Sequence, residues 1–433
     1  MDAISPPVVV ENATCLACGC LCDDIRVVVE AGRIVEAERA CVLGRPWFLE
    51  GRLGEGFPAA TIAGASVDIE VALVRAVDLL ANAKAPVVWG LGSSTVEAQR
   101  QAVAIADTLG AVLDPVGSPD ELTAFQRVGA VSASLGEVKA RADVVLFWGV
   151  DPLTTHPRFA ERYALEPRSR FLPEGRNNRL IIVIDDHPTA TAAISDLCVH
   201  VPIPESTESL RVLRALVRGI PVDRDRFEAS SGVALEALED LARRLTGASY
   251  GALVFDPSIG AGAIEAALLL VRDLNQGRRF VAVALGEPGN RAGAASVATW
   301  QAGAPGALDF ASGIPRHLPG DATLAVRLTR GEADAALIVG DDPAKYLDAG
   351  ILEKLAAIST VVIAPGATRH KLGTVAIDVA RPGIESPGTV QRTDGVMLPL
   401  RPALRVNLPD EASVLAVLLQ RIIKNPSDPS LHA

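Results

Sequence analysis

Short apolar runs closed by glycine alternate with longer stretches of helical spacing through most of this chain. Residues 67–83 carry apolar side chains at three- and four-residue intervals, which predicts an amphipathic helix. Pro86-Val-Val-Trp-Gly-Leu-Gly92 is apolar at consecutive positions and ends in glycine, which predicts a strand buried on both faces. Ser93, Ser94 and Thr95 offer caps for a helix running to Leu109. Ala111-Val-Leu-Asp114 predicts another short strand. Alternation of this kind predicts a doubly wound α/β fold.

Two later stretches repeat each other. Asp143-Val-Val-Leu-Phe-Trp-Gly-Val-Asp-Pro152 and Asp334-Ala-Ala-Leu-Ile-Val-Gly-Asp-Asp-Pro343 both read acid, apolar strand, Gly-x-Asp-Pro. A single such turn is ordinary turn chemistry. Two in matching contexts predict two related α/β halves facing one cleft, with Gly149, Asp151, Gly340 and Asp342 at the sheet edges. Ile181–Asp185 and Val361–Pro365 are further strands of the respective halves.

The start of the chain differs. Residues 26–36 predict a hairpin turning at Ala31-Gly32. Five of the six cysteines fall within the first 41 residues. Cys15, Cys18 and Cys22 have C-x2-C-x3-C spacing, and Cys41 completes a set of four. A short loop with thiolates at these intervals can wrap three corners of a cuboidal [4Fe-4S] cluster while a distant thiolate takes the fourth. Structural zinc is the alternative, although zinc ribbons usually pair two C-x-x-C units and only one is here; a site without metal is the third reading. Cys20 is spare within the motif, and Cys198 reads as a small core residue.

Composition narrows the function. The chain has 433 residues, 49% of them hydrophobic, enough for two or three domains. A net charge of −11 and 4% aromatic content argue against nucleic-acid binding. No uninterrupted apolar stretch reaches membrane-spanning length, and no basic region followed by an apolar run opens the chain. Clustered cysteines without such a leader point to a reducing, cytoplasmic setting. The Arg168–Arg179 segment reads as an exposed loop, and the tail after Asn425 as disordered.

Taken in order, several segments resemble the B-type subunit of formylmethanofuran dehydrogenase, in the molybdopterin oxidoreductase superfamily. They are the cysteine motif with Asp23-Asp24, Ala40-Cys-Val-Leu-Gly44, Ser93–Arg100, Trp148–Pro152 with His156-Pro-Arg158, Thr299–Gly303, and Gly383–Gly395. The resemblance implies a small N-terminal iron–sulfur module (1–60), two α/β domains (about 61–205 and 206–380, one of which can be discontinuous), and a C-terminal segment (381–433) without the barrel of larger superfamily members. In the family, this type of subunit interconverts carbon dioxide and formate at a pterin-bound tungsten or molybdenum ligated by cysteine or selenocysteine. The matching position here is Val96, which has no thiolate, and the loop at 115–120 lacks the histidine that the family places near the metal.

A second branch of the family fits these departures. It is a bacterial formyltransferase/hydrolase complex that moves a formyl group from tetrahydromethanopterin to a methanofuran-like polyglutamate carrier and releases formate. Its B-type subunit, which has A-, C- and D-type partners, is a non-redox scaffold. On that reading the [4Fe-4S] site is a retained folding element and molybdopterin or tungstopterin is not expected to work. Gly90, Gly92, Ser93 and Ser94 could still hold a phosphate at a helix N-terminus. His156 and Asp185, with Asp186 and His187, are further contact candidates, and Arg168, Arg170, Arg176 and Arg179 would guide the polyanion. The alternative is an active dehydrogenase subunit. A thiamine-diphosphate domain is disfavoured, because its Gly-Asp-Gly motif is missing.

Overall fold

The computed structural model describes residues 6–51, 55–116, 120–369 and 372–424. Gly117, Ser118 and Pro119 of the 115–120 loop, His370 and Lys371, and the tail from Asn425 lie outside the described residues.

The chain opens with three antiparallel strands, β1 (Val8–Ala13), β2 (Ile25–Glu30) and β3 (Arg33–Glu38), in sheet order β1-β2-β3. The expected hairpin joins β2 to β3 through Ala31 and Gly32, both in the left-handed region that a two-residue turn requires. Cys15 to Cys22 lie in the connection between β1 and β2. Cys41 precedes a short helix, α1 (Gly44–Leu49).

Next come β4 (Ala60–Ile62), β5 (Ala65–Ser66), α2 (Ile69–Ala81), β6 (Pro86–Gly90), α3 (Val96–Leu109) and β7 (Val112–Pro115). The chain then leaves this sheet and builds another from β8 (Val144–Trp148), β9 (Leu180–Asp185), β10 (Leu197–His200), β11 (Tyr250–Phe255) and β12 (Arg279–Ala284). It returns through β13 (Leu308–Asp309), β14 (Arg316–His317), β15 (Ala335–Val339), β16 (Ser359–Ala364) and β17 (Val375–Asp378). A hairpin, β18 (Gly388–Gln391) and β19 (Met397–Leu400), precedes the helix Glu411–Ile423.

Among the described residues, the first sheet has the order β14-β13-β7-β6-β15-β16-β17-β4-β5, and the second β10-β9-β8-β11-β12. Strands β7-β6-β15-β16-β17 pair in parallel, and so does all of the second sheet. Both faces are buried. Along β15, Ala335, Leu337 and Val339 enter one core while Ala336 and Ile338 enter another; β8 divides its residues between two further cores in the same way. This is why these strands read as continuous apolar runs.

Sheet membership corrects the division at residue 205. Strands β6 and β7 pair with β15, not with β8, and β8–β10 share a sheet with β11 and β12. The second sheet is thus an insertion within the first, and the discontinuous domain is the outer one. Cys198 also departs from expectation: it is exposed, on an edge strand of the inserted sheet.

Candidate functional site

Each Gly-x-Asp-Pro turn follows the strand at which its own sheet reverses direction of winding, β15 beside β6 and β8 beside β11. Such reversal points open crevices at the carboxyl ends of parallel strands. The two turns nonetheless do different things.

At the β15 end, Gly340 has φ 73°, and a Cβ there would lie 2.2 Å from Ser94 Oγ, so only glycine fits against the β6–α3 turn. The next residue, Asp341, is buried and reaches that turn. Gly92 N donates to Asp341 Oδ2 at 2.6 Å, and Ser93 Oγ donates to Oδ1 at 2.7 Å. Burial pushes the Asp341 carboxyl above its usual range, against the bonds from Ser93 and Gly92. Ser94 N donates to Leu91 O at 3.2 Å, and Thr95 Oγ1 caps α3 by accepting from Ala98 N at 3.2 Å. Asn290 Nδ2 and Gln99 Nε2 both donate to Ser94 O, at 2.8 and 3.2 Å. Gly92 N, Ser93 Oγ and Ser94 N, donors expected to face a phosphate, are thus engaged inside the protein, while Ser94 Oγ is buried without a hydrogen-bond partner among the described residues. An internal carboxylate sits where an anion would. Gly90 closes β6, and Asp342 accepts from Ala344 N at 3.0 Å to cap the following turn.

Val96 opens α3 and is 7% exposed, packed in the same apolar core as Val339 and Val414. Its side chain is part of the fold's interior.

At the β8 end, Gly149 has φ 58°, and a Cβ there would fall 2.8 Å from Ile259 Cγ2. Asp151 ties the turn to a neighbouring loop, with Oδ1 accepting from Thr191 N at 3.0 Å and from Thr191 Oγ1 at 2.5 Å. Burial alone would raise the Asp151 carboxyl, but these bonds, with those from Thr154 and Ala190, hold it below the usual range. His156 is buried; its Nε2 donates to Gly286 O at 2.9 Å and its Nδ1 lies 2.9 Å from Thr155 Oγ1. Burial lowers its pKa, opposed by the bond to Gly286 O and the charge of Asp256. Asp185 ends β9 buried, beside Asp186 and His187, whose ligand atoms lie within 4.8 Å of one another. His187 Nδ1 is 2.5 Å from Asp186 Oδ1. Gly149, Asp151, His156 and Asp185 do not line the two cavities described next.

One cavity, of about 530 Å³, lies between the cysteine module and the carboxyl ends of β15 and β16. Leu16, Trp47, Ser93, Asp341, Tyr346 and Arg381 line it. The other, of about 360 Å³, lies between the two sheets, with Gly19, Asp114, Glu121, Asp256 and Arg291 in its wall. Burial raises Asp114 to about 6, opposed by the Leu324 backbone N–H, and raises Glu121 to about 7.

The cysteines form the most concentrated chemistry. Cys15, Cys18, Cys20 and Cys22 are buried, and Cys41 is half-buried. Burial pushes the Cys15 thiol well above its ordinary range; the Ala17 N–H opposes this, and charges on Cys22, Cys18 and Cys41 add to it. Gly44 separates Cys15 from Cys41: a Cβ there would lie 3.0 Å from one sulfur and 3.8 Å from the other. Backbone donors face both, with Ala17 N 3.5 Å from Cys15 Sγ and Gly44 N 3.4 Å from Cys41 Sγ. Among the described residues, no three cysteine sulfurs lie within 4.8 Å of one another. Four sulfurs bound to zinc at about 2.3 Å would be about 3.8 Å apart.

The adjacent Asp23 and Asp24 serve a structural purpose. Asp24 receives both terminal nitrogens of Arg158, at 2.7 and 2.8 Å, and Asp23 receives Arg162 Nη2 at 2.9 Å. These pairs clamp the cysteine loop onto the segment after the β8 turn.

The four arginines of the 168–179 loop part company. Arg179 is buried and donates to the carbonyls of Leu165, Ala142, Lys139 and Pro167 at 2.8–3.2 Å. Arg176 pairs with Asp196 at 2.8 Å and donates to Arg179 O. Arg168 and Arg170 are exposed. The polyanion role is corrected for Arg179, whose guanidinium is directed inward.

Asp341, Asn290 and Gln99 are the residues that sequence reading misses. Only Asp341 leaves a trace, as the variable position of the second repeated turn.

No family model matches the chain. It is 32% identical over 432 residues to the B subunit of tungsten-containing formylmethanofuran dehydrogenase 2 from Methanocaldococcus jannaschii, covering 96% of this chain and 98% of that one. It is 34% identical over 290 residues to the B subunit of the formyltransferase/hydrolase complex of Methylorubrum extorquens, covering 66% of this chain and 75% of the other. A chain from the crystal structure of that organism's formyltransferase/hydrolase complex with methylofuran superimposes with a TM-score of 0.72 at 29% identity, over 86% of this chain and 100% of that one. Acetylene hydratase from Pelobacter acetylenicus shares the fold, with a TM-score of 0.66 at 12% identity over 96% of this chain and 70% of that one.

Proposed function

Because the chain belongs to the family of formylmethanofuran dehydrogenase B subunits, we propose that it serves as the B-type component of a formyltransferase/hydrolase complex. Its setting would be tetrahydromethanopterin-linked one-carbon metabolism, with A-, C- and D-type subunits as partners and a methanofuran-like polyglutamate as carrier. The observation that carries this reading is Val96. The side chain at the family's metal-ligand position is apolar and built into the core. A centre that cycles between oxidation states needs a donor there, and the neighbouring turn spends its own donors on Asp341.

Engagement of Gly92 N and Ser93 Oγ by Asp341 argues against a pterin phosphate at this turn. The clustering of buried Cys15, Cys18 and Cys22 with half-buried Cys41 supports an iron–sulfur cluster, which these four thiols would hold. Such a cluster would supply folding energy by fixing the irregular loop between β1 and β2. Exposed Arg168 and Arg170 are the surface cations of the 168–179 loop that would meet the carrier's carboxylates.

One observation favours the second reading, an active dehydrogenase subunit: the buried thiols persist alongside 32% identity over nearly the full length of a tungsten enzyme's subunit. The assembled complex, supplied with formylated carrier, separates the two. The proposal expects formate release at a rate indifferent to added electron acceptor or reductant. Reduction of a viologen dye by formate, dependent on this chain, would replace it with the dehydrogenase reading.

A further inference from the structure

We infer that Asp341 decides what the β6–α3 turn can bind: its carboxylate is a built-in occupant that keeps phosphate-bearing ligands out of an otherwise complete oxyanion cradle. The inference rests on the reading that this chain works without a pterin cofactor.

The turn has the parts that an oxyanion site needs. It opens α3, a helix of 14 residues. The aligned peptide dipoles of a helix this long favour negative charge at that end. Gly92 leaves room for close approach, since a Cβ there would lie 3.1 Å from Asp341 Oδ2 and 3.1 Å from Arg291 Cγ. Backbone and oxyanion can therefore meet at hydrogen-bond distance.

Asp341 takes the place of that oxyanion. Its two oxygens accept from Gly92 N at 2.6 Å and from Ser93 Oγ at 2.7 Å, and the residue is 3% exposed. Both bonds are short, as bonds to a charged acceptor are. The Gly-x-Asp-Pro turn itself does not require this carboxylate. The matching position of the first repeated turn is Val150, whose buried side chain carries neither donor nor acceptor. The two turns thus differ at the one residue that reaches across to the helix.

Beside the carboxylate lie space and positive charge. Ser93, Gly340 and Asp341 line the cavity of about 530 Å³, and so do Lys345 and Arg381. Arg381 is 8% exposed. Its Nη2 meets Glu50 at 3.1 Å, while its Nη1 is buried and has no hydrogen-bond acceptor among the described residues. A buried guanidinium nitrogen without an acceptor is a group in want of an anion. With the carboxylate removed, Gly92 N and Ser93 Oγ would face a roomy cavity that already holds cations.

The test compares wild type with Asp341→Ala and Asp341→Ser in the full-length chain, purified with its partner subunits. Binding of inorganic pyrophosphate is measured by isothermal titration calorimetry, and size-exclusion chromatography checks that each variant stays in the complex. Wild type sets the background. The inference expects one added pyrophosphate site per chain in each variant, at least about tenfold tighter than anything wild type shows. Should Asp341→Ala fail to assemble, Asp341→Ser decides alone. Equal binding by wild type and variant, or no added site in a variant that stays assembled, overturns the inference while leaving the pterin-free reading in place. Failure of both variants to assemble would make Asp341 a structural tie that nothing replaces, and would overturn it too. Pterin released by denaturing the wild-type complex would overturn the reading beneath the inference, and the inference with it.

Discussion

At the scale of single residues, the site is organised by buried carboxyls more than by exposed ones. Glu411 is the clearest case. It opens the last helix fully buried, close to Ser94 Oγ and Gly340. Burial pushes its carboxyl from 4.5 up to about 8, with Ser94 opposing the shift and the charges of Asp341 and Asp410 adding to it. Between those values the folded chain keeps a proton that the unfolded chain releases. Stability therefore falls as pH rises across this window, by roughly 1.4 kcal/mol per unit at most. Glu411→Gln removes the titration and keeps the shape. The expected result is a melting temperature that falls from about pH 5 to about pH 8 in the wild type and stays flatter in the variant. Equal slopes would show that Glu411 is ionised in the fold.

At the scale of elements, the loops are held by side chains that donate inward. Arg179 stitches four carbonyls from two segments, 139–142 and 165–167, together. Arg179→Ala should cost roughly 3 kcal/mol in a urea titration, because the carbonyls lose a charged donor in a buried place. Carrier affinity should be unchanged. Arg168→Ala with Arg170→Ala should do the reverse: no measurable loss of stability, and carrier binding that is weaker and less sensitive to salt. Weaker carrier binding in the Arg179 variant beyond its loss of folded protein would return that residue to the binding surface.

The same elements show what is legible in the sequence. Helix α3 and strands β6, β7, β8, β15 and β16 fall where periodicity and glycine place them. Continuous apolar runs and flanking caps are local signals. The β2–β3 hairpin is equally plain, because its turn needs two residues tolerant of positive φ. The function of residues 92–94 is not legible. Their partner, Asp341, lies 249 residues from Gly92, and nothing local marks its carboxylate as the one that fills the turn. Arg158 and Arg162 escape for the same reason, being 134 and 139 residues from the aspartates they clamp. His156 stands out for its rarity and position, yet a buried imidazole satisfied by a carbonyl leaves no mark in sequence that separates it from a ligand.

At the scale of the molecule, the chain lays down half of one sheet, completes a second and returns to finish the first. Adjacent strands β6 and β15 are thereby drawn from distant parts of the sequence, which is why a boundary at 205 reads naturally in the sequence and fails in the fold. The segment after β17 then crosses all three modules. Thr14 Oγ1 donates to Pro399 O at 2.9 Å, Thr393 Oγ1 donates to Ala284 O at 2.6 Å, and Thr389 N donates to Glu97 Oε2 at 3.0 Å. Closure of the cysteine module, both sheets and the site-forming turn thus depends on one late strap. Asp394 is its anchor, accepting from Leu135 N at 2.6 Å while bound to Arg392. Asp394→Ala should destabilise the whole chain by about 3 kcal/mol or more, since Arg392 is left buried without its partner. A single, lowered unfolding transition in calorimetry is the expected trace; separate transitions would show that the modules fold independently of the strap.

On the proposed function, this member of the family keeps a cluster at its cysteines and has no redox tungsten or molybdenum. Iron, molybdenum and tungsten per chain, determined on the anaerobically purified complex, test it most directly. The account predicts about four iron atoms per chain, the content of one cuboidal cluster, with neither molybdenum nor tungsten. Stoichiometric molybdenum or tungsten bound by this chain would contradict it, despite the valine at position 96.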